Sequence, residues 1–239
     1  MTGPLILHIE TATDICSVAL SVGDQQLSLI ESGQERSHAS LLNTFIRQAV
    51  AQAGKELKDL DAIAVSKGPG SYTGLRIGVS TAKGLAYALE IPLIASGTLE
   101  NMASGAHTYA AVRELITIHG ERLLLCPMLD ARRMEVYTGF YTLESDLFRE
   151  VSADVIDEES YQKILGSHQV CFFGNGADKC KAVLDHPSAH FIDGINPSAA
   201  SMITPVLKKY QLKQFEDVAY FEPFYLKDFI ATVPKKKVL

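Results

Sequence analysis

An α/β protein with two related halves, each a mixed sheet carrying helices, is what this sequence predicts, and three observations carry the prediction. Strand-length apolar runs alternate with helix-period segments over the first hundred residues. Two apolar runs far apart, Leu5 to Ile9 and Leu123 to Leu129, each meet an acid, Glu10 and Asp130, followed by small residues and a returning strand. Glycine and proline punctuate the strand-to-helix junctions.

The elements follow in order. Leu5 to Ile9, Cys16 to Val22 and Gln26 to Ile30 read as three antiparallel strands, the last two joined by a hairpin at Gly23-Asp24. From His38 to Ala53 the apolar positions Leu41, Leu42, Phe45, Ile46, Ala49, Val50 and Ala53 recur at three and four, with Gly54 at the stop, which predicts an amphipathic helix. Ala62 to Val65 is a fourth strand, Tyr72 to Leu89 a second helix and Ile91 to Ala95 a fifth strand. Strand, strand, strand, helix, strand, helix, strand is the order of ribonuclease-H-like and actin-like (ASKHA) domains. In the second half, strands are expected at Leu123 to Leu129, Met134 to Tyr141 and Gln169 to Phe173, a turn at Gly174-Asn175-Gly176, and helices from Ala177 to Leu184 and from Pro197 to Tyr210. The boundaries expected are an N-terminal lobe over 1–97, to which 211–239 returns, and a second, eroded lobe over 98–210.

Composition narrows the class of function. The 239 residues are 47% hydrophobic and 21% charged, enough apolar surface for a sizeable core. A formal net charge of -6 disfavours strong independent binding to nucleic acid, and the basic run Lys235-Lys236-Lys237 reads as a solvated tail. No basic n-region precedes the first apolar run and no stretch approaches a membrane span, so a cytoplasmic protein without membrane contact is expected. Cys16, Cys126, Cys171 and Cys180 form no C-x-x-C and read as reduced core thiols.

Lys67 to Gly78 joins a buried strand to a helix through residues that free the backbone. Gly68, Gly70 and Ser71 there suit either a tight turn or an anion cradle at a helix start. It is neither a dinucleotide fingerprint nor a P-loop. Glu10 and Asp130 stand at strand ends, where a phosphotransferase would hold magnesium, and where acids also serve as turn formers. Gly174, Asn175 and Gly176 can touch a nucleotide, though Asn-Gly is ordinary turn chemistry. His186 and His190 have a metal-ligand spacing that Pro187 breaks. No H-E-x-x-H or G-x-S-x-G occurs, and no nucleophile and base pair can be named.

Gly74, Gly78, Ala82 and Ala86 lay a smooth stripe along the second helix, which demands a close neighbour, the chain's own sheet or a partner. The first helix is apolar on more positions than one stripe needs. Leu41, Phe45 and Ile46 are expected on the sheet, and Leu42, Ala49 and Val50 on a neighbouring face.

Ile9-Glu10-Thr11-Ala12-Thr13, the run Gly68 to Gly78, Asp130-Ala131-Arg132 with Glu135-Val136-Tyr137, and Pro223-Phe224-Tyr225-Leu226-Lys227 together resemble the TsaB (YeaZ) family nearly end to end. The resemblance implies an actin-like, two-lobed fold and a non-catalytic role beside TsaD, which transfers a threonylcarbamoyl group to adenosine in the anticodon loop of tRNA. It implies TsaE, an ATPase, as a further partner, and tRNA reached through the complex. It also implies that the two helices above join the chain to TsaD; an apolar face of that kind is expected to be buried by self-association in the isolated chain. Around Glu10, Thr11 and the glycine turns it implies at most weak ATP or ADP binding and no resident cofactor. The catalytic paralogue carries a metal-binding His-x-x-x-His after the fifth strand. This chain has Thr98 and Met102 there, poor ligands for iron or zinc, so neither metal nor transfer chemistry is expected. The alternative is a nucleotide-hydrolysing or phosphotransferase enzyme of the actin-like superfamily using Glu10 and Asp130.

Overall fold

The computed structural model describes residues 2–32 and 38–227. Lys235-Lys236-Lys237 and the last part of the expected return lie outside the described residues.

The first lobe is built on β1 (Leu5–Glu10), β2 (Cys16–Val22), β3 (Gln25–Ser32), β4 (Ala62–Ser66) and β5 (Leu93–Ser96), in the spatial order β3-β2-β1-β4-β5. β1, β2 and β3 pair antiparallel, and β4 and β5 add in parallel. Parallel addition needs crossover connections, and two helices supply them: α1 (His38–Gln52) and α2 (Tyr72–Leu89). Ser71 caps α2, accepting from the Gly74 amide at 3.3 Å. Period-two alternation sends Leu5, Leu7 and Ile9 toward α1 and α2, and Ile6, His8 and Glu10 to the opposite face.

The second lobe repeats the plan. Between the lobes come α3 (Thr98–Ala106) and α4 (Ala110–His119), then β6 (Leu123–Asp130), β7 (Glu135–Tyr141), β8 (Leu147–Val155), α5 (Gln162–Leu165), β9 (Gln169–Phe173) and β10 (Ala189–Ile192). The sheet runs β10-β9-β6-β7-β8, which is the first lobe's order read from the other edge. The pairing senses also repeat: β6-β7 and β7-β8 antiparallel, β6-β9 and β9-β10 parallel. The fold is therefore a two-lobed, actin-like α/β architecture.

Some elements differ from expectation. Ala177 to Leu184 makes only a 3-10 turn, Asp178–Cys180: its buried positions Ala177, Cys180 and Leu184 keep a helical spacing, but the segment is too short to offset the cost of helix nucleation. The helix expected from Pro197 opens as a 3-10 turn, Ala199–Met202, and becomes α6 only at Ile203–Gln211. Ala199, Met202 and Val206 pack on Ile6, Ala62, Ala64 and Ile94, so the return to the first lobe begins near Ala199 and not at 211. Strand β8 and helices α4 and α5 are not predicted by the sequence pattern.

The small-residue stripe of α2 has an internal cause. A Cβ on Gly74 would lie 2.1 Å from the Thr11 carbonyl oxygen, and one on Gly78 would lie 2.2 Å from the Thr11 hydroxyl, while Ala82 and Ala86 are buried in the lobe's core. Leu42, Ala49 and Val50 are likewise buried in that core, with Phe45 and Ile46, while Leu41 is half-buried at its edge. All seven residues expected at a partner surface are thus spent inside the lobe. The physical reason is that α1 covers both β2 and β3, which takes a wider apolar stripe than one strand would. All four cysteines are buried and free, and burial pushes the Cys16 thiol up to about 11 and that of Cys171 to about 12. No helix among the described residues is long and apolar enough to cross a membrane.

Candidate functional site

The two sheets bring the ends of β1 and β6 to face each other across a cleft of about 1060 Å³. One wall carries Ala12, Thr13 and Asp14 from the β1–β2 turn with Pro69 to Thr73 before and at the start of α2. The other carries Leu129 to Glu135 from the β6–β7 turn and Asn175 after β9. Phe224 to Lys227 close its rim.

The two strand-end acids hold equivalent places in the duplicated plan and have opposite environments. Glu10 is fully buried and absent from the cleft wall. Its Oε1 accepts from the Ala12 amide at 2.7 Å, and Oε2 has no hydrogen-bond partner among the described residues. Desolvation by burial pushes its carboxyl up to about 7, against the opposing pull of the Ala12 amide and the neighbouring Ser66 hydroxyl and Thr11 amide. His8, two residues earlier on the same buried face, is pushed down to about 3 by burial, with Nε2 on the Ser21 hydroxyl at 2.9 Å. Asp130 is exposed on the cleft, paired with the Lys179 ammonium, and its Oδ1 accepts from the Arg132 amide at 3.1 Å.

The other predicted nucleotide residues divide similarly. Thr11 is buried and donates to the Gly74 carbonyl at 2.8 Å, so its hydroxyl is engaged by α2. Gly68 is buried, whereas Gly70 and Ser71 line the cleft, with the Ser71 amide on the Ala12 carbonyl at 2.6 Å. Gly174, at φ +103°, and Gly176 pack on the backbone of Met128, Leu129 and Asp130. Asn175 alone of that turn faces the cleft, its Oδ1 accepting from the Asp130 amide at 3.0 Å. The structure therefore gathers Gly70, Ser71, Asp130 and Asn175 and withdraws Glu10, Thr11, Gly68, Gly174 and Gly176.

Arg132 and Arg133 were not assigned a role in advance. They take φ values of +73° and +48° in the β6–β7 loop, Arg132 to Met134, which the Ala131 amide closes onto the Glu135 carbonyl at 3.0 Å. Left-handed φ is uncommon for such residues, and no glycine or asparagine in the Asp-Ala-Arg-Arg run marks it in the sequence.

Possible metal ligands do not converge. Thr98 is buried with its hydroxyl 2.8 Å from that of Ser66, and Met102 is buried in the second lobe's core. His186 accepts from the Ser188 amide at 3.1 Å, while His190 bonds Gln169 at 2.7 Å and packs tilted against His119, ring centroids 5.1 Å apart. Among the described residues no group of three or more His, Cys, Asp or Glu side chains is placed to hold a metal.

Comparison with known proteins follows this geometry. The family model described as TsaD, tRNA N6-adenosine threonylcarbamoyltransferase, matches residues 30–235. The chain is 33% identical over 149 residues to the tRNA threonylcarbamoyladenosine biosynthesis protein TsaB of Bacillus subtilis, covering 62% of this chain and 60% of that protein. It is 38% identical over 137 residues to TsaB of Escherichia coli, covering 57% of this chain and 54% of that protein. The chain thus spans less than two thirds of the length of these relatives. Among solved structures, YeaZ from Pseudomonas aeruginosa superposes with a TM-score of 0.77 at 26% identity, covering 95% of this chain and all of that one. A Pseudomonas aeruginosa protein described as similar to peptidase YEAZ reaches 0.80 at 25% identity over the same shares. With the family model matched over most of its length and this fold in common, the chain belongs to the TsaD-type family, in its TsaB (YeaZ) branch.

Proposed function

We propose that the chain is a non-catalytic subunit that supports a TsaD-like paralogue in forming threonylcarbamoyladenosine in the anticodon loop of tRNA, in the cytoplasm. One observation carries the non-catalytic part. Where the paralogue has its histidine pair, Thr98 is bonded to Ser66 and Met102 is packed in a core, so neither offers a donor to a metal. The family likeness supports the pathway.

The outer face of the α1–α2 pair is the surface proposed for the paralogue. Among the described residues Gly84 has nothing within 4 Å of where its Cβ would be, yet a glycine inside a helix costs about 1 kcal/mol relative to alanine. No contact among those residues compensates for it. Ser80, Gly84 and Ala88 are exposed and four apart, a smooth outward stripe flanked by half-buried Ile77 and Leu85, which lets another helix approach closely. TsaE and tRNA join through the complex, and the isolated chain covers this face by pairing with itself.

The alternative of a nucleotide-hydrolysing enzyme is the weaker reading, because Glu10 is buried away from the cleft. The test is co-purification with the paralogue, using Gly84→Arg and Ile77→Arg. Both are expected to fold and to lose the heterodimer. Folded variants that bind with unchanged affinity would place the interface elsewhere. Gly78→Leu and Ala82→Arg would instead disrupt the lobe itself.

A further inference from the structure

The segment after α6 runs along the first lobe and reaches the cleft at Phe224 to Lys227, which join its lining. Glu216 pairs antiparallel with Leu93 at the edge of β5, its amide on the Leu93 carbonyl at 2.8 Å. A turn follows, held by the Lys83 ammonium on the carbonyls of Ala219 at 3.2 Å and Phe221 at 2.8 Å. The Phe224 amide then donates to the Lys67 carbonyl at 2.7 Å, and its own carbonyl lies 2.7 Å from where a Gly68 Cβ would be. The Tyr225 ring sits 4.9 Å from that of Tyr72, and Arg76 donates from Nε to the Tyr225 hydroxyl at 3.3 Å. Finally Lys227 reaches the other lobe and pairs with Glu135.

Gly68 explains why the segment lies where it does. At φ +111° it makes room for the Phe224 carbonyl, so the first lobe is shaped to receive an extended backbone. The holding contacts, an aromatic pair and a partly exposed ion pair, are individually modest. What makes them persist is the tether, which holds the segment at an effective concentration on the order of millimolar.

We propose that residues 223–227 are a tethered occupant of a peptide-binding groove at the cleft mouth, and that this strap must leave before a ligand enters between the lobes. The groove takes an extended peptide with an aromatic residue on Tyr72 and Arg76 and a basic residue two positions later on Glu135. The inference does not rest on the proposed pathway, because the isolated chain suffices to test it.

The full chain carrying Tyr225→Ala and Lys227→Glu is titrated with a fluorescent peptide of the sequence Phe-Glu-Pro-Phe-Tyr-Leu-Lys. It is expected to bind at least ten-fold more tightly than the unaltered chain, whose groove is filled, and to lose binding on Tyr72→Ala. Equal affinities, or no binding by the strap variant at millimolar peptide, overturn the proposal. A second arm covers misfolding of that variant. The chain has no tryptophan, so Tyr225→Trp installs a single reporter. Its acrylamide quenching should be several-fold below that of free N-acetyltryptophanamide, rise when Glu135→Lys is added, and fall again when Lys227→Glu restores the pair. Quenching like that of the free amide in Tyr225→Trp alone overturns the proposal.

Discussion

The two lobes share one strand order and differ in what covers it. In the first, α1 and α2 run 15 and 18 residues. In the second, the corresponding connections hold only α5, four residues long, and a three-residue 3-10 turn. Sheet pairing survives this loss because each strand is fixed by its neighbours across the ladder, whereas a crossover helix needs only to return the chain. The long helices remain in the lobe whose core they build. The strand-end acids show the same divergence, since Glu10 is covered by its own lobe and Asp130 is left facing the cleft.

The largest effect expected from breaking this comparison is at the Thr11 contact. Gly78→Leu forces a side chain into the Thr11 hydroxyl and should cost more than about 3 kcal/mol, whereas Gly84→Leu, six residues on, should stay within about 1. Chemical denaturation of both variants checks the contrast.

Next come the buried titratable groups of β1. Glu10 has a folded pKa near 7, above its unfolded value near 4.5, so the folded state binds more protons and stability falls as pH rises through that window. His8 is displaced the other way, to about 3 from 6.5, so stability rises with pH between those values. The two slopes, each up to about 1.4 kcal/mol per pH unit, oppose one another between pH 4.5 and 6.5. Glu10→Gln should therefore leave stability rising with pH there, and His8→Asn should leave it falling. Denaturation midpoints from pH 4.5 to 8 distinguish them, and parallel profiles would contradict the burial of either group.

The smallest effect belongs to Asp130. Its pair with Lys179 is partly exposed and solvent-screened, so Asp130→Asn should cost under about 1 kcal/mol in chemical denaturation. A stability loss as large as that of Gly78→Leu would mean the second lobe depends on its acid as the first does on its glycine.

Much of the first lobe was legible because its signals are local. The periodicity from His38 and from Tyr72 marks α1 and α2 almost to the residue. Which side of α1 meets the sheet was not legible: Leu41 and Leu42 are adjacent apolar residues about 100° apart, and only the tertiary partner decides which is buried. Strand β8 escaped notice because it is half-exposed and carries Arg149, Glu150 and Asp154, so neither an apolar run nor strict alternation marks it. The cleft was legible only in part, at Gly70, Ser71, Asp130 and Asn175. Its walls come from segments as far apart as Ala12 and Asn175, and whether Glu10 or Asp14 faces it depends on how the β1–β2 turn is covered.

Reconstituted tRNA modification tests the central claim most directly. The catalytic paralogue is assayed for threonylcarbamoyladenosine formation on tRNA with and without this chain, and the chain is assayed alone. Product is expected to depend on both proteins together, with none from the chain by itself. Product from the chain alone, or a yield from the paralogue that is indifferent to its presence, would contradict a non-catalytic supporting subunit.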